Sequence, residues 1–267
     1  MGLNTVYADR IRDLAAKSDQ MSELEFLSRV LNQAAVWRSK IWANTLINLD
    51  THVRAGPFAG MDYDVQSAEG ALLPKILGIY ERELHPELAA FADEPLQCII
   101  DVGCAEGYYA VGLALLMPGV TVHAFDTNPV AQRRCGRLAE ANGVADRVCV
   151  SGEFVGTDFS RFSGKRTLVF VDAEGFEDEL LRPDIYPALS EFDLIVETHP
   201  MAKPGVTERL VERFSPTHLV KRIDPAVGAA DLVPRISSAS HLDMMIACWE
   251  WRAGPTPWLV MRPKEKT

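Results

Sequence analysis

The feature that most restricts how this chain folds is the run Ile99-Ile100-Asp101-Val102-Gly103-Cys104-Ala105-Glu106-Gly107-Tyr108-Tyr109. It reads as a short apolar strand, a Gly-rich turn and the start of an apolar helix. A strand passing into a helix through glycines is a unit of parallel α/β architecture, because glycine permits a tight turn and a close backbone approach to a ligand. The helix N-terminus that follows leaves backbone N–H groups without helical partners and favours negative charge there. The plain alternative is that residues 101–107 are a tight turn and nothing more.

Downstream the pattern repeats. Apolar runs at 97–102, 120–125, 147–150, 167–171 and 193–196 read as strands, and further runs lie at 218–223 and 257–261. Helical stretches separate them at 107–116, 129–142, 176–189, 205–213 and 238–251. This alternation predicts a Rossmann-like α/β fold with a seven-stranded, mostly parallel sheet and helices on both faces. Upstream, 72–91 reads as helical, and 53–70 reads as a linker or short hairpin rich in Gly and turn formers. Residues 4 to about 50 also read as helical, with Leu24, Leu27, Leu31, Ala34, Ile41 and Trp42 near three- and four-residue spacing. That stripe is expected to pack on the main domain, with a lid or a homodimer surface as alternatives. The predicted organisation is an N-terminal helical extension over 1–60 and an α/β domain over 61–267, its core starting near 97.

A chain of 267 residues, 48% of them hydrophobic, can bury one large core. No apolar run reaches the ~20 residues that span a bilayer, and the N-terminus lacks a hydrophobic signal core. A cytoplasmic protein with no membrane partner is expected. Five irregularly spaced cysteines predict neither a disulfide framework nor a zinc site. The formal net charge of −10, with basic residues scattered, argues against a nucleic-acid partner.

The second strand ends at Phe125-Asp126, and Asp126 lies 19 residues after Gly107. An acid there suits both ribose hydroxyls of an adenosyl ligand. Dinucleotides and S-adenosylmethionine both fit this arrangement. The turn reads D-x-G-x-A-x-G and not G-x-G-x-x-G, and its acids Asp101 and Glu106 suit an ammonium group and repel a pyrophosphate. A Tyr-x-x-x-Lys pair, as short-chain dehydrogenases use, is absent from the sequence. S-adenosylmethionine is the better fit.

At this point the segments resemble a known group. IIDVGCAEGYYAVGLA and VHAFDTNP resemble the first two motifs of class I S-adenosylmethionine-dependent methyltransferases. Val171-Asp172-Ala173-Glu174-Gly175-Phe176-Glu177 is similar to the D-x-E-G-x-E signature of FkbM-type methyltransferases. Val196-Glu197-Thr198-His199-Pro200 resembles their E-x-H-P-like segment, and LGIYEREL (77–84) the stretch before their core. The resemblance covers about 70–265. It implies a seventh strand running antiparallel, S-adenosylmethionine as methyl donor, and a hydroxyl acceptor on a small molecule or glycan. RNA or protein methylation and a non-catalytic adenosyl-binding protein are the alternatives. Asp126 stands where that family often has Glu, and both residues bind a ribose.

Mapped on this sequence, Asp101, Gly103, Cys104, Ala105 and Gly107 are expected at the methionine end. Asp126 is expected on the ribose, with Phe125, Thr127 and Asn128 around the adenosine. Glu153 and Phe154 are expected at the adenine, with a turn cap as the alternative for Glu153. Asp172 and Glu197 end the fourth and fifth strands and should border the transferred methyl. Asp172, Glu174, Glu177, Glu197 and His199 are the candidates for removing a hydroxyl proton. His199 has the most suitable unperturbed pKa. For Glu177, a favourable charge at a helix N-terminus is an equal alternative. Asp172, Glu197 and His199 also form a candidate Mg²⁺ set, which would acidify a hydroxyl. Trp37, Trp42, the loop 225–240, residues 248–251, Tyr80 and Glu81 are candidates to line the acceptor pocket.

Overall fold

The computed structural model describes residues 2–64, 71–226, 236, 238–252 and 254–264. Every expected strand is present: β1 Cys98–Val102, β2 Thr121–Phe125, β3 Val148–Ser151, β4 Thr167–Val171, β5 Asp193–Glu197, β6 His218–Ile223 and β7 Trp258–Pro263. They form one sheet in the order β3-β2-β1-β4-β5-β7-β6. The first five strands are parallel, and β7 is antiparallel to both β5 and β6. The Rossmann-like seven-stranded fold with helices on both faces follows directly from this order.

The central strands are buried on both faces, which explains why they read as unbroken apolar runs. Alternate side chains feed two separate cores. Ile99, Leu168, Phe170 and Ile195 point into one, and Ile100, Val169, Val171 and Leu194 into the other. The first core is covered by α3 Leu72–Leu77, α4 His85–Ala92, α5 Tyr108–Leu116 and α6 Pro129–Ala141. The second is covered by α7 Glu177–Leu180, α8 Val206–Phe214 and the 3₁₀ turns around Phe159 and Leu189.

Helix lengths differ from the sequence reading where the backbone is interrupted. The 72–91 stretch splits because Gly78 and Glu81 take left-handed conformations. The 176–189 helix stops at Leu180, ahead of Pro183, and a 3₁₀ turn begins at Pro187. The 238–251 stretch keeps only α9, His241–Ala247, under a Ser240–Asp243 capping box.

The extension is two helices, α1 Leu3–Ala16 and α2 Glu23–Ile47. Trp37 Nε1 donates to Asn4 Oδ1 at 2.9 Å and ties them together, so Trp37 does not serve a pocket. The C-terminal third of α2 packs on α3 and α9 through Ala43 and Leu46. Arg38 fixes it to α9 by donating twice to Asp243, at 2.5 and 2.9 Å. The Arg38 guanidinium holds the Asp243 carboxyl below the usual carboxylate range. The expectation that the whole stripe packs is corrected: Leu24, Leu27 and Leu31 are 77%, 62% and 70% exposed. Among the described residues, no helix is long and apolar enough to cross a membrane.

Candidate active site

In an open α/β sheet the ligand crevice lies where the strand order reverses, here between β1 and β4, outside the carboxyl ends of the strands. Two cavities occupy that edge. The first, about 370 Å³, is lined by Val102, Gly103, Phe125, Asp126, Thr127, Gly152, Glu153, Phe154, Asp172, Ala173, Glu174 and Phe176. The second, about 430 Å³, includes Tyr80, Glu81, Asp172, Glu174, Glu197, His199, Glu250, Trp251 and Arg252 among its walls. Asp172 and Glu174 belong to both.

The first cavity gathers seven of the residues expected around an adenosyl ligand: Gly103, Phe125, Asp126, Thr127, Glu153, Phe154 and Asp172. Phe125 and Phe154 meet edge to face, with centroids 4.8 Å apart, and form an apolar wall. Gly103 has φ +89, and a Cβ there would run into the carbonyl of Asp172, so only glycine lets the β1 turn lie against the end of β4. Asp126 organises the turn: Oδ2 accepts from Ala105 N at 2.9 Å, and Oδ1 from Asn128 N at 2.7 Å.

Five expected contacts lie outside the cavity wall. Asn128 caps α6, its side chain accepting from Val130 N at 2.9 Å. Cys104 is buried with its thiol against Cys135, and Gly107 packs on the same Cys135. Ala105 serves the turn through its amide. Asp101 is buried beneath it, its Oδ2 lacking a hydrogen-bond partner.

Burial, and then the charge of Asp126, push the Asp101 carboxyl up to about 8. The sequence argument from the charge of Asp101 is therefore corrected: in the ligand-free protein at neutral pH this group is mostly protonated. A carboxyl raised on folding binds its proton more tightly folded than unfolded, so it costs stability as pH climbs from its unfolded value, about 4, towards 8. Asp101→Asn is expected to match the wild type in thermal stability at pH 4. It should exceed it increasingly up to pH 8, with a constant gap above. A constant gap across the whole range would show that Asp101 does not titrate in this way.

Glu106 is corrected as well. It sits in the turn by sequence, but its side chain is fully buried away from the cavity, accepting from Lys75 Nζ at 2.5 Å and from the Tyr63 hydroxyl.

The second cavity is an acidic basin. His199 follows β5 and is 8% exposed. Its Nδ1 lies 2.9 Å from Glu177 Oε1, and its Nε2 lies 3.5 Å from Asp172 Oδ1, 3.5 Å from Glu174 Oε2 and 3.6 Å from Glu197 Oε2. Burial lowers the His199 pKa, but the Glu177 hydrogen bond and the charges of Glu197, Glu177 and Glu174 outweigh it, and the net direction is up. Burial, then Glu197 and Glu81, push Asp172 well above the usual carboxylate range. Four of the five candidates, Asp172, Glu174, Glu197 and His199, thus line the basin, and the fifth, Glu177, is buried against His199 Nδ1.

The candidate metal set changes. Asp172, Glu174 and His199 offer ligand atoms within 4.8 Å of one another. Glu197 is instead committed through Oε1 to Arg252 Nη1 at 2.5 Å. Arg252, which the sequence reading missed, also reaches Glu81 at 3.0 Å and Glu250 at 2.8 Å. Of the expected acceptor-pocket residues, Tyr80, Glu81, Glu250 and Trp251 line the basin, whereas Trp42 packs on the core of the fold. Most of the 225–240 loop lies outside the described residues.

Backbone strain marks the same place. Among the described residues, the non-glycine positions with positive φ are Glu81, Ala105, Glu174 and Trp251. Three of them line the basin and the fourth lies in the glycine turn. Such conformations cost about 1–3 kcal/mol each and persist where the surroundings over-determine them.

The chain matches no protein-family model and no curated protein sequence. Solved structures do resemble it. One is the Streptomyces achromogenes O-methyltransferase TomG in complex with SAM, with 14% identity, 67% of this chain and 80% of that one covered, and TM-score 0.48. Another is an O-methyltransferase from Bacillus cereus in complex with SAH, with 12% identity, coverage of 84% and 90%, and TM-score 0.47. A third is a putative rRNA-methylase from Clostridium thermocellum, with 14% identity, coverage of 69% and 97%, and TM-score 0.47.

Proposed function

We propose that this chain transfers the methyl group of S-adenosylmethionine to a hydroxyl on a small molecule or glycan. The observation that carries the reading is the shared wall: a cavity suited to an adenosyl ligand and a basin holding a histidine among carboxylates are both lined by Asp172 and Glu174. Asp126 would hold the ribose, Phe125 and Phe154 would pack on the adenine, Glu153 would accept from its amino group, and the Gly103 turn would face the methionine end. When bound, the sulfonium supplies a methyl that is already electrophilic, so the protein's tasks are alignment and proton removal.

The basin performs the second task. With the Nδ1 hydrogen directed at Glu177, the Nε2 lone pair of His199 is free to take the hydroxyl proton. Asp172 and Glu174, at the junction, orient the acceptor oxygen towards the donor cavity. Glu197 is held by Arg252 and shapes the wall. The carboxylates of the basin would repel a phosphate backbone, which disfavours an RNA acceptor. The D-x-E-G-x-E segment supplies Asp172, Glu174 and Glu177 to this site, which supports an FkbM-like assignment.

Titration calorimetry with S-adenosylhomocysteine and, separately, NAD(H) tests the reading. S-adenosylhomocysteine alone should bind, and Asp126→Ala should weaken it at least about tenfold, equivalent to about 1.4 kcal/mol. Binding of NAD(H) instead, or of neither, would overturn the proposal. The proton step described requires no divalent ion, so turnover should survive EDTA. Loss of turnover restored by Mg²⁺ would assign Asp172, Glu174 and His199 to a metal.

A further inference from the structure

Glu177 carries more bonds than a charge at the first turn of a four-residue helix needs. Its side chain is fully buried, and a single oxygen, Oε1, accepts from Ala173 N at 3.2 Å and Gly175 N at 3.0 Å and lies 2.9 Å from His199 Nδ1. The two amides belong to the turn after β4, where Glu174 and Gly175 both hold positive φ. That turn supplies Asp172, Ala173, Glu174 and Phe176 to the donor cavity. The third neighbour is the imidazole of the basin.

We propose that Glu177 is a positioning residue that sets the tautomer of His199 and the shape of the donor cavity through one atom. A carboxylate oxygen only accepts. Glu177 Oε1 is 2.9 Å from Nδ1, much nearer than Asp172, Glu174 and Glu197, which stand 3.5–3.6 Å from Nε2. In the neutral ring the hydrogen therefore goes to Nδ1 and Nε2 keeps its lone pair. A neutral histidine side chain in water prefers the hydrogen on Nε2, so the protein imposes the other tautomer, as the partner of one ring nitrogen fixes the role of the other. The same oxygen stops the turn from relaxing out of its left-handed conformation. Any change at Glu177 therefore reaches both cavities at once. The inference deepens the proposed reaction and rests on His199 acting through Nε2.

The test uses the full chain labelled with ¹⁵N-histidine, in EDTA, at a pH where His199 is neutral. Long-range proton–nitrogen correlation distinguishes the tautomers, and His199 is assigned by its disappearance in His199→Gln. Wild type should show Nδ1 protonated and Nε2 bare. Glu177→Met should shift the signal towards the Nε2-protonated form and weaken S-adenosylhomocysteine binding about tenfold, the scale of losing the hydrogen bonds that hold the turn. Glu177→Gln keeps an accepting oxygen in the same place and should restore both, the tautomer fully and the affinity to within about threefold. A wild type with the hydrogen on Nε2 would overturn the proposal. So would a Glu177→Met protein with an unchanged tautomer or unchanged affinity. Should Glu177→Met fail to fold, the wild-type and Glu177→Gln spectra decide the tautomer. Failure of the wild type to bind S-adenosylhomocysteine would reject the proposed reaction, whereas the spectrum judges the Glu177–His199 pair independently.

Discussion

Replacing His199 with alanine is expected to lower kcat by about 10²–10⁴-fold, the usual contribution of a positioned general base. Affinity for S-adenosylhomocysteine should stay within about threefold of wild type, because His199 lines the acidic basin and not the donor cavity. The pH profile supplies a second readout. A base works deprotonated, and the carboxylates around His199 favour its protonated form, so the rate should rise with pH and reach its plateau above the pH at which an ordinary imidazole loses its proton. In His199→Ala that rise should vanish along with the rate. A variant that loses donor binding and turnover together would instead give His199 a structural role.

The second large effect concerns stability. Lys75 is 3% exposed and Glu106 is fully buried, and they pair at 2.5 Å beneath the glycine turn. Lys75→Met keeps the length of the side chain but removes a cation paired with a buried carboxylate, which is expected to cost about 3–5 kcal/mol. Adding Glu106→Gln removes the carboxylate charge as well, so Lys75→Met/Glu106→Gln should be more stable than Lys75→Met alone. Chemical denaturation of the wild type, both single variants and the double variant checks this. A double variant that loses the sum of the two single losses would show that the pair is not coupled.

The sheet was legible in the sequence because strand burial leaves a direct trace. Residues 98–102 and 167–171 face two cores at once, so they are apolar throughout, and glycines mark the turn between β1 and α5. Helix lengths were less legible, since Gly78 and Pro183 interrupt stretches whose apolar spacing continues beyond them. Side-chain direction was harder still. Glu106 looked like a ligand contact by position, yet its partner Lys75, 31 residues upstream, draws it into the core. Glu197 ends β5 as its position in the sequence indicates, but the arginine that pairs with it lies 55 residues downstream. Spacing along the chain carries no information about such pairings. The same holds for Leu24, Leu27 and Leu31, whose helical spacing is real although α2 extends beyond the surface that could cover them.

The wall common to the two cavities has a consequence for inhibitor chemistry. Because Asp172 and Glu174 border both spaces, only these side chains need be passed by a short tether that joins a nucleoside to a hydroxylated fragment. Once one half is seated, the other is held at an effective concentration that reaches the millimolar range for short tethers, so avidity can exceed either separate affinity by about 10²–10⁴-fold. A series of such bisubstrate compounds, varied only in tether length, would act as a ruler. The length that binds tightest reports the donor-to-acceptor separation, and varying the second fragment at that length screens for the acceptor.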